Sequence, residues 1–182
     1  MNKKDGFGHE KPNEGETNDW ITPKWVIDAF DSLSDSMFFD LDPCISMTQP
    51  WLTARNGYNI EQDGLKQKWD GMVYCNPPYG NNVNVWAKQM AEHGNGVMLI
   101  FARIETHVWQ REIFPTADGF LFPDRRISFY RPDGTKGSSA GAPSAFVAWG
   151  NKARDSLIEL VDNGRLSGAF LDKAFYTGSR QW

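Results

Sequence analysis

The chain has 182 residues, of which 40% are hydrophobic and 23% are charged, and its formal net charge is −4. This composition is typical of a globular protein with a sizeable core, and it excludes a protein that holds nucleic acid by bulk positive charge alone. No apolar run approaches the roughly 20 residues that a membrane-spanning helix needs, so we expect no membrane partner.

Residues 1–18 are rich in glycine, asparagine and charged side chains, which predicts a mobile tail followed by a single domain over residues 19–182. The N-terminus lacks the apolar segment of a secretion signal. Cys44 and Cys75 are spaced neither as a metal site nor as a disulfide framework. We therefore expect no metal, reduced thiols and a cytoplasmic location.

The first ordered segment is predicted to begin at Trp20. Thr22 followed by Pro23 is typical of a helix start, with Thr22 as the N-cap and Pro23 at the first helical position. The alternative for Trp20 and Thr22 is a purely structural hydrophobic staple and cap. The apolar positions from Trp25 to Leu33 give this helix one apolar face.

A buried strand is predicted over residues 38–42, and it contains two carboxylates, Asp40 and Asp42, directly before Pro43. Acidic residues at the carboxyl end of a strand in an open α/β sheet can hold the hydroxyls or the ammonium group of a ligand. A polar strand end before a turn is the alternative. Residues 44–62 show no clear strand, and Asp63 with Gly64 predicts a turn.

The central stretch of the chain is a short strand, residues 72–75, that ends in Asn76-Pro77-Pro78-Tyr79. Because proline fixes φ and lacks an N–H, this strand end is a stiff loop that cannot continue as a paired strand. The Asn76 side chain and the Pro77 carbonyl can accept the two protons of an amino group, while Tyr79 can stack on the ring that carries it. An ordinary proline-rich turn is the alternative.

The second half of the chain alternates between predicted helices and strands. In chain order we expect a helix from Val83 that ends by Gly94, strand 97–102, a helix over 107–114, strands 119–123 and 127–130, a flexible loop over 135–143, strand 144–150 and a helix over 152–160. Residues 164–182 give no clear prediction.

The positive charge is concentrated in this half. Residues 1–70 carry 7 basic and 13 acidic side chains, and residues 71–182 carry 12 and 10. If the chain acts on DNA, as the resemblance described below implies, Arg103, Arg125 and Arg126 are candidates for holding its phosphates or reading a guanine edge. A solvated surface is the alternative for each of them.

Several motifs together resemble the phage-type DNA N-6-adenine methyltransferases. They are the segments 20–23, 39–43, 63–65 with Trp69, 76–80, Ala102-Arg103 with Thr106, and 126–129. The resemblance implies a Rossmann-like class I fold that uses S-adenosylmethionine (AdoMet): an α/β domain with a mostly parallel central sheet, an antiparallel terminal strand and helices on both faces. It implies a phage-encoded enzyme that methylates adenine N6 in double-stranded DNA, in the host cell cytoplasm.

The same resemblance implies roles for the candidate residues. Asn76, Pro77, Pro78 and Tyr79 would grip the target adenine, with Asn76 also close to AdoMet. The implied AdoMet contacts are Trp20, Thr22 and Pro23 beside the methionine end, Asp40, Asp42 and Pro43 near the amino acid or ribose, and Asp63 near the adenine.

One feature departs from this class of enzymes. Residues 42–46 contain no glycine, although such enzymes usually have a glycine-rich turn after the first strand. Asp40 and Asp42 can therefore belong to a first-strand or a second-strand motif. The missing glycines leave open a non-catalytic DNA- or protein-binding module, and the Asn-Pro-Pro-Tyr loop also occurs in protein-glutamine methyltransferases. The sequence does not predict the oligomeric state.

Overall fold

The computed structural model describes residues 19–78, 80 and 82–173 of the chain. The predicted tail over residues 1–18 and the side chain of Tyr79 lie outside this range. In the described part, the α-helices are α1 Lys24–Asp31, α2 Val83–His93 and α3 Asn151–Asp162. A 3₁₀ turn covers Gly64–Lys66, and a π-helix covers Trp109–Ile113. None of these helices is long and apolar enough to span a membrane.

Most of the predicted strands are present, with shifted ends. The strands in the described residues are β1 Leu41–Asp42, β2 Asn56–Gly57, β3 Val73–Cys75, β4 Gly96–Phe101, β5 Gly119–Pro123, β6 Ser128–Tyr130, β7 Lys136–Ser139, β8 Ser144–Trp149 and β9 Gly168–Asp172. Neither β2 nor β9 was predicted from the sequence, because β2 has only two residues and both strands lie at an edge of the sheet.

Seven strands form one sheet in the order β2-β1-β3-β4-β8-β5-β9. The pairs β1–β2, β1–β3 and β3–β4 are parallel, whereas β8 is antiparallel to both β4 and β5, and β9 is antiparallel to β5. Five strands therefore point in one direction, as the predicted mostly parallel sheet requires. The antiparallel terminal strand is present as β9, and β8 adds a second antiparallel strand inside the sheet.

Helices cover both faces of the sheet, as predicted. On one face, Phe30 of α1 and Leu157 of α3 pack against sheet residues such as Tyr74. On the other face, Met90 of α2 and Ile113 of the π-helix pack in a second core cluster. Alternate residues of β4 belong to opposite clusters, because successive side chains in a strand point to opposite faces.

The start of α1 differs from the prediction. Thr22 is not its N-cap: Pro23 holds that position, with φ −56° and ψ 138°, and the helix begins at Lys24. The Thr22 hydroxyl is instead buried and lies 2.7 Å from the hydroxyl of Tyr74 on β3. A side-chain contact across the fold therefore replaces the predicted local cap.

The segment between β5 and β8 also differs. The two strands predicted on either side of residues 124–126 are present, but in different sheets, since β5 joins the main sheet and β6 pairs with β7. The predicted flexible loop over residues 135–143 thus contains a strand. The turn between β6 and β7 is closed by the Arg131 N–H, which donates to the Thr135 carbonyl at 2.8 Å. Gly134 supplies the positive φ of 84° that this turn requires.

Candidate functional site

A cavity of about 370 Å³ opens at the carboxyl ends of β1 and β3. These strands are parallel neighbours, with Leu41 opposite Val73, so the loops that follow them leave the sheet side by side. The cavity is lined by Asp19, Trp20, Ile21, Pro43, Cys44, Ile45, Ser46, Asn59, Ile60, Asp63, Gly64, Leu65, Asn76, Pro77, Pro78, Asn82 and Trp86. Segments far apart in sequence therefore meet at this edge of the sheet.

Asn76 is held in place at the end of β3. Its side-chain amide Nδ2 donates to the Trp20 carbonyl at 2.7 Å. Its backbone carbonyl accepts a bond from the Cys44 thiol, with the sulfur 3.2 Å from the oxygen. Pro77 is buried and Pro78 is exposed. These contacts tie the loop after β3 to both the N-terminal segment and the loop after β1.

Asp63 and Gly64 form the opposite wall through a close backbone approach. Asp63 has a left-handed backbone with φ 51°, and its carboxylate lies 2.8 Å from the ammonium group of Lys66. A Cβ atom on Gly64 would lie 1.8 Å from the Pro43 carbonyl oxygen, so only glycine fits there. The Gly64 carbonyl in turn accepts a bond from Trp69 Nε1 at 2.8 Å.

Asp42 has a structural position under the cavity. Its carboxylate accepts bonds from the backbone N–H of Cys44 at 3.0 Å and from the Thr53 hydroxyl. Burial raises the pKa of Asp42, and these hydrogen bonds act in the opposite direction. The side chain is buried and is not among the residues that line the cavity. Its predicted contact with a ligand is therefore not supported by this geometry.

Asp40 is also turned away from the cavity. Its Oδ2 accepts the backbone N–H of Met72 at 2.8 Å, and its Oδ1 lies 3.9 Å from Nε of Arg55. Thr22 and Pro23 are buried behind the wall that Trp20 contributes. Of the predicted AdoMet contacts, the cavity brings together Trp20, Pro43, Asp63 and Asn76, and it leaves out Thr22, Pro23, Asp40 and Asp42.

The predicted DNA-contacting arginines lie outside this cavity. Arg103 lines a separate cavity of about 140 Å³ together with Gly80 and Thr106. Arg125 lies 3.2 Å from the carboxylate of its neighbour Asp124, and both are exposed. Arg126 donates from Nη1 to the Ala140 carbonyl at 3.0 Å. None of these three arginines lines the 370 Å³ cavity. They follow β4 and β5, which end at the same edge of the sheet as the cavity.

The family model described as DNA N-6-adenine-methyltransferase (Dam) matches residues 10–166 of the chain. The chain belongs to this family. No curated protein and no solved structure matches it. The match covers every motif on which the resemblance rested, and it confirms the predicted membership of the DNA N-6-adenine methyltransferase family. Family membership supports methylation of DNA at adenine N6 as the general activity.

Sequence reasoning missed several residues of this Dam-family cavity. Asp19 and Ser46 come from two distant segments of the chain that meet at the cavity, where the Ser46 hydroxyl donates to Asp19 Oδ2 at 2.8 Å. Cys44 was considered only as a metal or disulfide residue, yet it lines the cavity, and burial raises the pKa of its thiol well above the usual range. The segment 44–62 has no periodic pattern, so its contribution carried no sequence signal.

The charged side chains that line the cavity are all acidic. Its lining residues, all within the described part of the chain, include two aspartates, Asp19 and Asp63, and no lysine, arginine or histidine. The indole rings of Trp20 and Trp86 and three prolines, Pro43, Pro77 and Pro78, supply apolar surface. A cavity with carboxylates and aromatic walls is suited to a ligand that carries both positive charge and planar rings. Among the described residues, no group of histidine, cysteine and acidic side chains could hold a metal ion.

Proposed function

We propose that this Dam-family protein is a Rossmann-like class I enzyme that binds AdoMet in the 370 Å³ cavity and methylates adenine N6 in double-stranded DNA. The observation that carries the proposal is the position of Asn76, which lines the cavity at the end of β3 beside the carboxylate-bearing walls. A methyl donor in this cavity would lie next to a loop that can accept the protons of an amino group. A phage-encoded enzyme acting in the host cytoplasm is the setting we propose.

The residues present fit AdoMet. The cavity volume falls within the range of about 300–1,000 Å³ for small-molecule sites. AdoMet has an ammonium group and a sulfonium, and the acidic lining would stabilise both charges. We assign Trp20 to the methionine end of AdoMet, Pro43 to its amino acid or ribose and Asp63 to its adenine, since all three line the cavity.

The strand order supports assigning β1 as the first strand of a doubly wound sheet. In such sheets the first strand lies between the second strand and the first strand of the other half, and here β1 lies between β2 and β3. No glycine directly follows β1, but Gly64 allows its segment to pack closely against the Pro43 carbonyl at this end of the cavity. The non-catalytic alternative is decided by the measurement of methyl transfer below.

In this reaction the protein must mainly position the reacting groups, and it needs no strong general acid or base. AdoMet, when bound, supplies a methyl group on a positively charged sulfur. The lone pair of adenine N6 is delocalised into the ring, and acceptors for its two protons favour a more localised lone pair. We assign this role to the Asn76 side chain and the Pro77 carbonyl. With AdoMet bound, the N6–methyl bond would form as the sulfur–methyl bond broke, and one N6 proton would pass to solvent while Asn76 and Pro77 hold the amino group.

Orientation of the amino group supplies a further part of the rate enhancement. Groups held in reactive geometry can contribute on the order of 7–11 kcal/mol to lowering the barrier. Adenine N6 is inaccessible inside a duplex, so the base must leave the stack. Tyr79, which lies outside the described residues, remains the predicted stacking partner of the flipped base, a contact that contributes about 1–3 kcal/mol.

The activity is tested by incubating the purified protein with labelled AdoMet and unmethylated DNA, digesting the product and identifying the modified base and its sequence context. N6-methyladenine is the expected product. Label in glutamine residues of a protein substrate would favour a glutamine methyltransferase. AdoMet binding without any methyl transfer to DNA would favour a non-catalytic module.

Asp63→Asn is expected to weaken AdoMet binding without weakening the apo fold. Asparagine tolerates the left-handed backbone that Asp63 adopts, so the variant keeps the backbone conformation and loses the charge together with its ion pair to Lys66. That pair is exposed to solvent and contributes little to stability. Ligand binding to the native state alone stabilises the wild type by about 2.7 kcal/mol at a hundredfold excess over Kd. Thermal melting with and without AdoMet should show a smaller shift for Asp63→Asn at the same AdoMet concentration.

The matched control for this variant is Asp70→Asn, which removes an exposed carboxylate that does not line the cavity. Its AdoMet-induced shift should equal that of the wild type. Equal shifts for Asp63→Asn and the wild type would mean that the ligand lies elsewhere.

A further inference from the structure

Four arginines lie just beyond the same edge of the main sheet as Asn76. The five strands that share one direction all end at this edge, and the antiparallel strands β8 and β9 begin there. Arg103 follows β4, Arg125 and Arg126 follow β5, and Arg165 precedes β9. The register confirms this arrangement, since Phe101 is opposite Ser144 and Pro123 is opposite Gly168.

These arginines are spread along the edge in order of distance from the catalytic loop. In the strand order β3-β4-β8-β5-β9, Arg103 is one strand from Asn76, Arg125 is three and Arg165 is four. Neighbouring strands are about 4.8 Å apart, so Arg125 and Arg165 follow strands that lie about 14 and 19 Å from β3. The row is therefore long enough to contact several nucleotides of an extended duplex.

The far end of this row contains a cavity of about 390 Å³. Trp25 from α1, Arg125 after β5 and Arg165 before β9 all line it, together with Ser167. The Trp25 side chain is 46% exposed, which is unusual for so large an apolar ring. Two guanidinium groups and an aromatic wall from three separate elements thus meet at one concave place.

Acidic residues offset only part of this charge. From β3 to β9, the loops at this edge (residues 76–82, 102–106, 124–127, 140–143 and 163–167) contain four arginines and two acids, Glu105 and Asp124, while the loop after β2 adds Glu61 and Asp63. Arg125 lies 3.2 Å from Asp124 at this edge, and at the opposite edge Arg154 is 2.8 Å from Asp155 and Lys173 is 3.6 Å from Asp118. The arginines therefore lie on the β4-to-β9 part of the edge, apart from the aspartates that line the 370 Å³ cavity.

We propose that DNA flanking the target adenine follows this edge, and that the cavity lined by Trp25, Arg125 and Arg165 holds a backbone phosphate of that flank. The inference rests on the proposed function. Guanidinium groups form bidentate bonds to phosphate oxygens, and the exposed indole provides an apolar surface for the adjoining sugar. A separation of about 19 Å corresponds to about six base pairs at 3.4 Å each.

The test is charge reversal at the far end of the row. Arg165→Glu is expected to weaken binding of a 30-base-pair duplex about tenfold at 0.15 M salt. Loss of one phosphate contact should also reduce the slope of log affinity against log salt by about 1. Arg125→Glu should behave in the same way. AdoMet affinity, measured by calorimetry, should remain that of the wild type for both variants and shows that each is folded.

Lys152→Glu is the matched control, because it reverses one exposed charge at the start of α3, where the chain leaves the opposite edge of the sheet. The Lys152 ammonium group lies 5.2 Å from the centroid of the Phe38 ring, so AdoMet affinity is measured for this variant too, as the check that it is folded. Its DNA affinity and salt slope should equal those of the wild type. Shortening the duplex gives a second readout. The two flanks are shortened in turn to two base pairs beyond the methylated adenine. When the shortened flank is the one that reaches the cavity of Arg125 and Arg165, kcat/KM of the wild type and of Arg165→Glu should become equal.

Unchanged DNA affinity and salt slope in both Arg165→Glu and Arg125→Glu would overturn the proposal. So would an equal effect of Lys152→Glu, since that would indicate a response to net charge alone. Failure of the proposed function looks different: the wild type would bind the duplex but transfer no methyl group. In that case the salt slopes still decide whether this edge binds DNA.

Discussion

Replacing Asn76 with alanine is expected to lower kcat for DNA methylation by at least about a hundredfold while AdoMet affinity changes little. The Asn76 side chain is oriented by its bond to the Trp20 carbonyl at 2.7 Å, so its amide is already held at the cavity wall before substrate arrives. An interaction that strengthens mainly in the transition state affects kcat rather than binding. Steady-state methylation rates, corrected for the folded fraction by circular dichroism, provide the measurement.

Two further variants separate chemistry from folding. Asn76→Asp keeps an acceptor oxygen but loses the amide donor to Trp20, so it tests whether orientation by that bond is needed. Asn84→Ala removes an exposed asparagine from α2 and should leave turnover unchanged. If Asn76→Ala turned over at a near-normal rate per folded molecule, the loop would be a structural turn and the proposed mechanism would be wrong.

Gly64→Ala is expected to abolish AdoMet binding and to lower the free energy of unfolding by about 3 kcal/mol, the upper end of the usual cost of overpacking. The added Cβ would meet the Pro43 carbonyl oxygen at 1.8 Å, and a backbone atom cannot move aside as a flexible side chain can. The two walls of the cavity would have to separate. Calorimetry with AdoMet and chemical denaturation of the apo protein measure the two effects.

Gly96→Ala distinguishes loss of the cavity from loss of stability. Its Cβ would lie 2.3 Å from the Val73 carbonyl oxygen, at the start of β4 and thus at the opposite edge of the sheet. It should destabilise the protein to a similar extent, but the molecules that remain folded should bind AdoMet normally. Equal AdoMet affinity of folded Gly64→Ala and folded Gly96→Ala would show that the approach of Gly64 to Pro43 does not shape the site.

Local sequence patterns determined much of the fold. The apolar run at residues 97–102 predicted β4 within one residue at each end, and the helix predicted from Val83 ends where Gly94 adopts a left-handed conformation. Residues 72–75 and the prolines after Asn76 located the end of β3. These signals are local because strand periodicity, proline and glycine act on the backbone of their own neighbours. The set of motifs was also sufficient to predict the family, which the match over residues 10–166 confirms.

Contacts between distant segments could not be predicted from local sequence patterns. Thr22 has the sequence of a helix cap, yet its hydroxyl bonds to Tyr74, which is 52 residues away. Asp42 is typical of a ligand-binding strand end, yet burial and the bonds from Cys44 and Thr53 make it part of the core beneath the cavity. A polar residue has the same local pattern in either role, and only the groups that surround it in the fold decide between them.

The pairing of strands and the shape of the site were likewise decided by tertiary structure. β5 ends at the edge of the sheet where the parallel strands have their carboxyl ends, and after the β6–β7 pair the chain is again at this edge. β8 starts from there and therefore runs antiparallel to its neighbours β4 and β5. The cavity forms because Gly64 meets Pro43 across 20 intervening residues. By itself the sequence determined which residue types were available, namely an asparagine before two prolines, scattered aspartates and a glycine in a turn. Which of them face one another depends on long-range packing, since no local preference of the backbone encodes it.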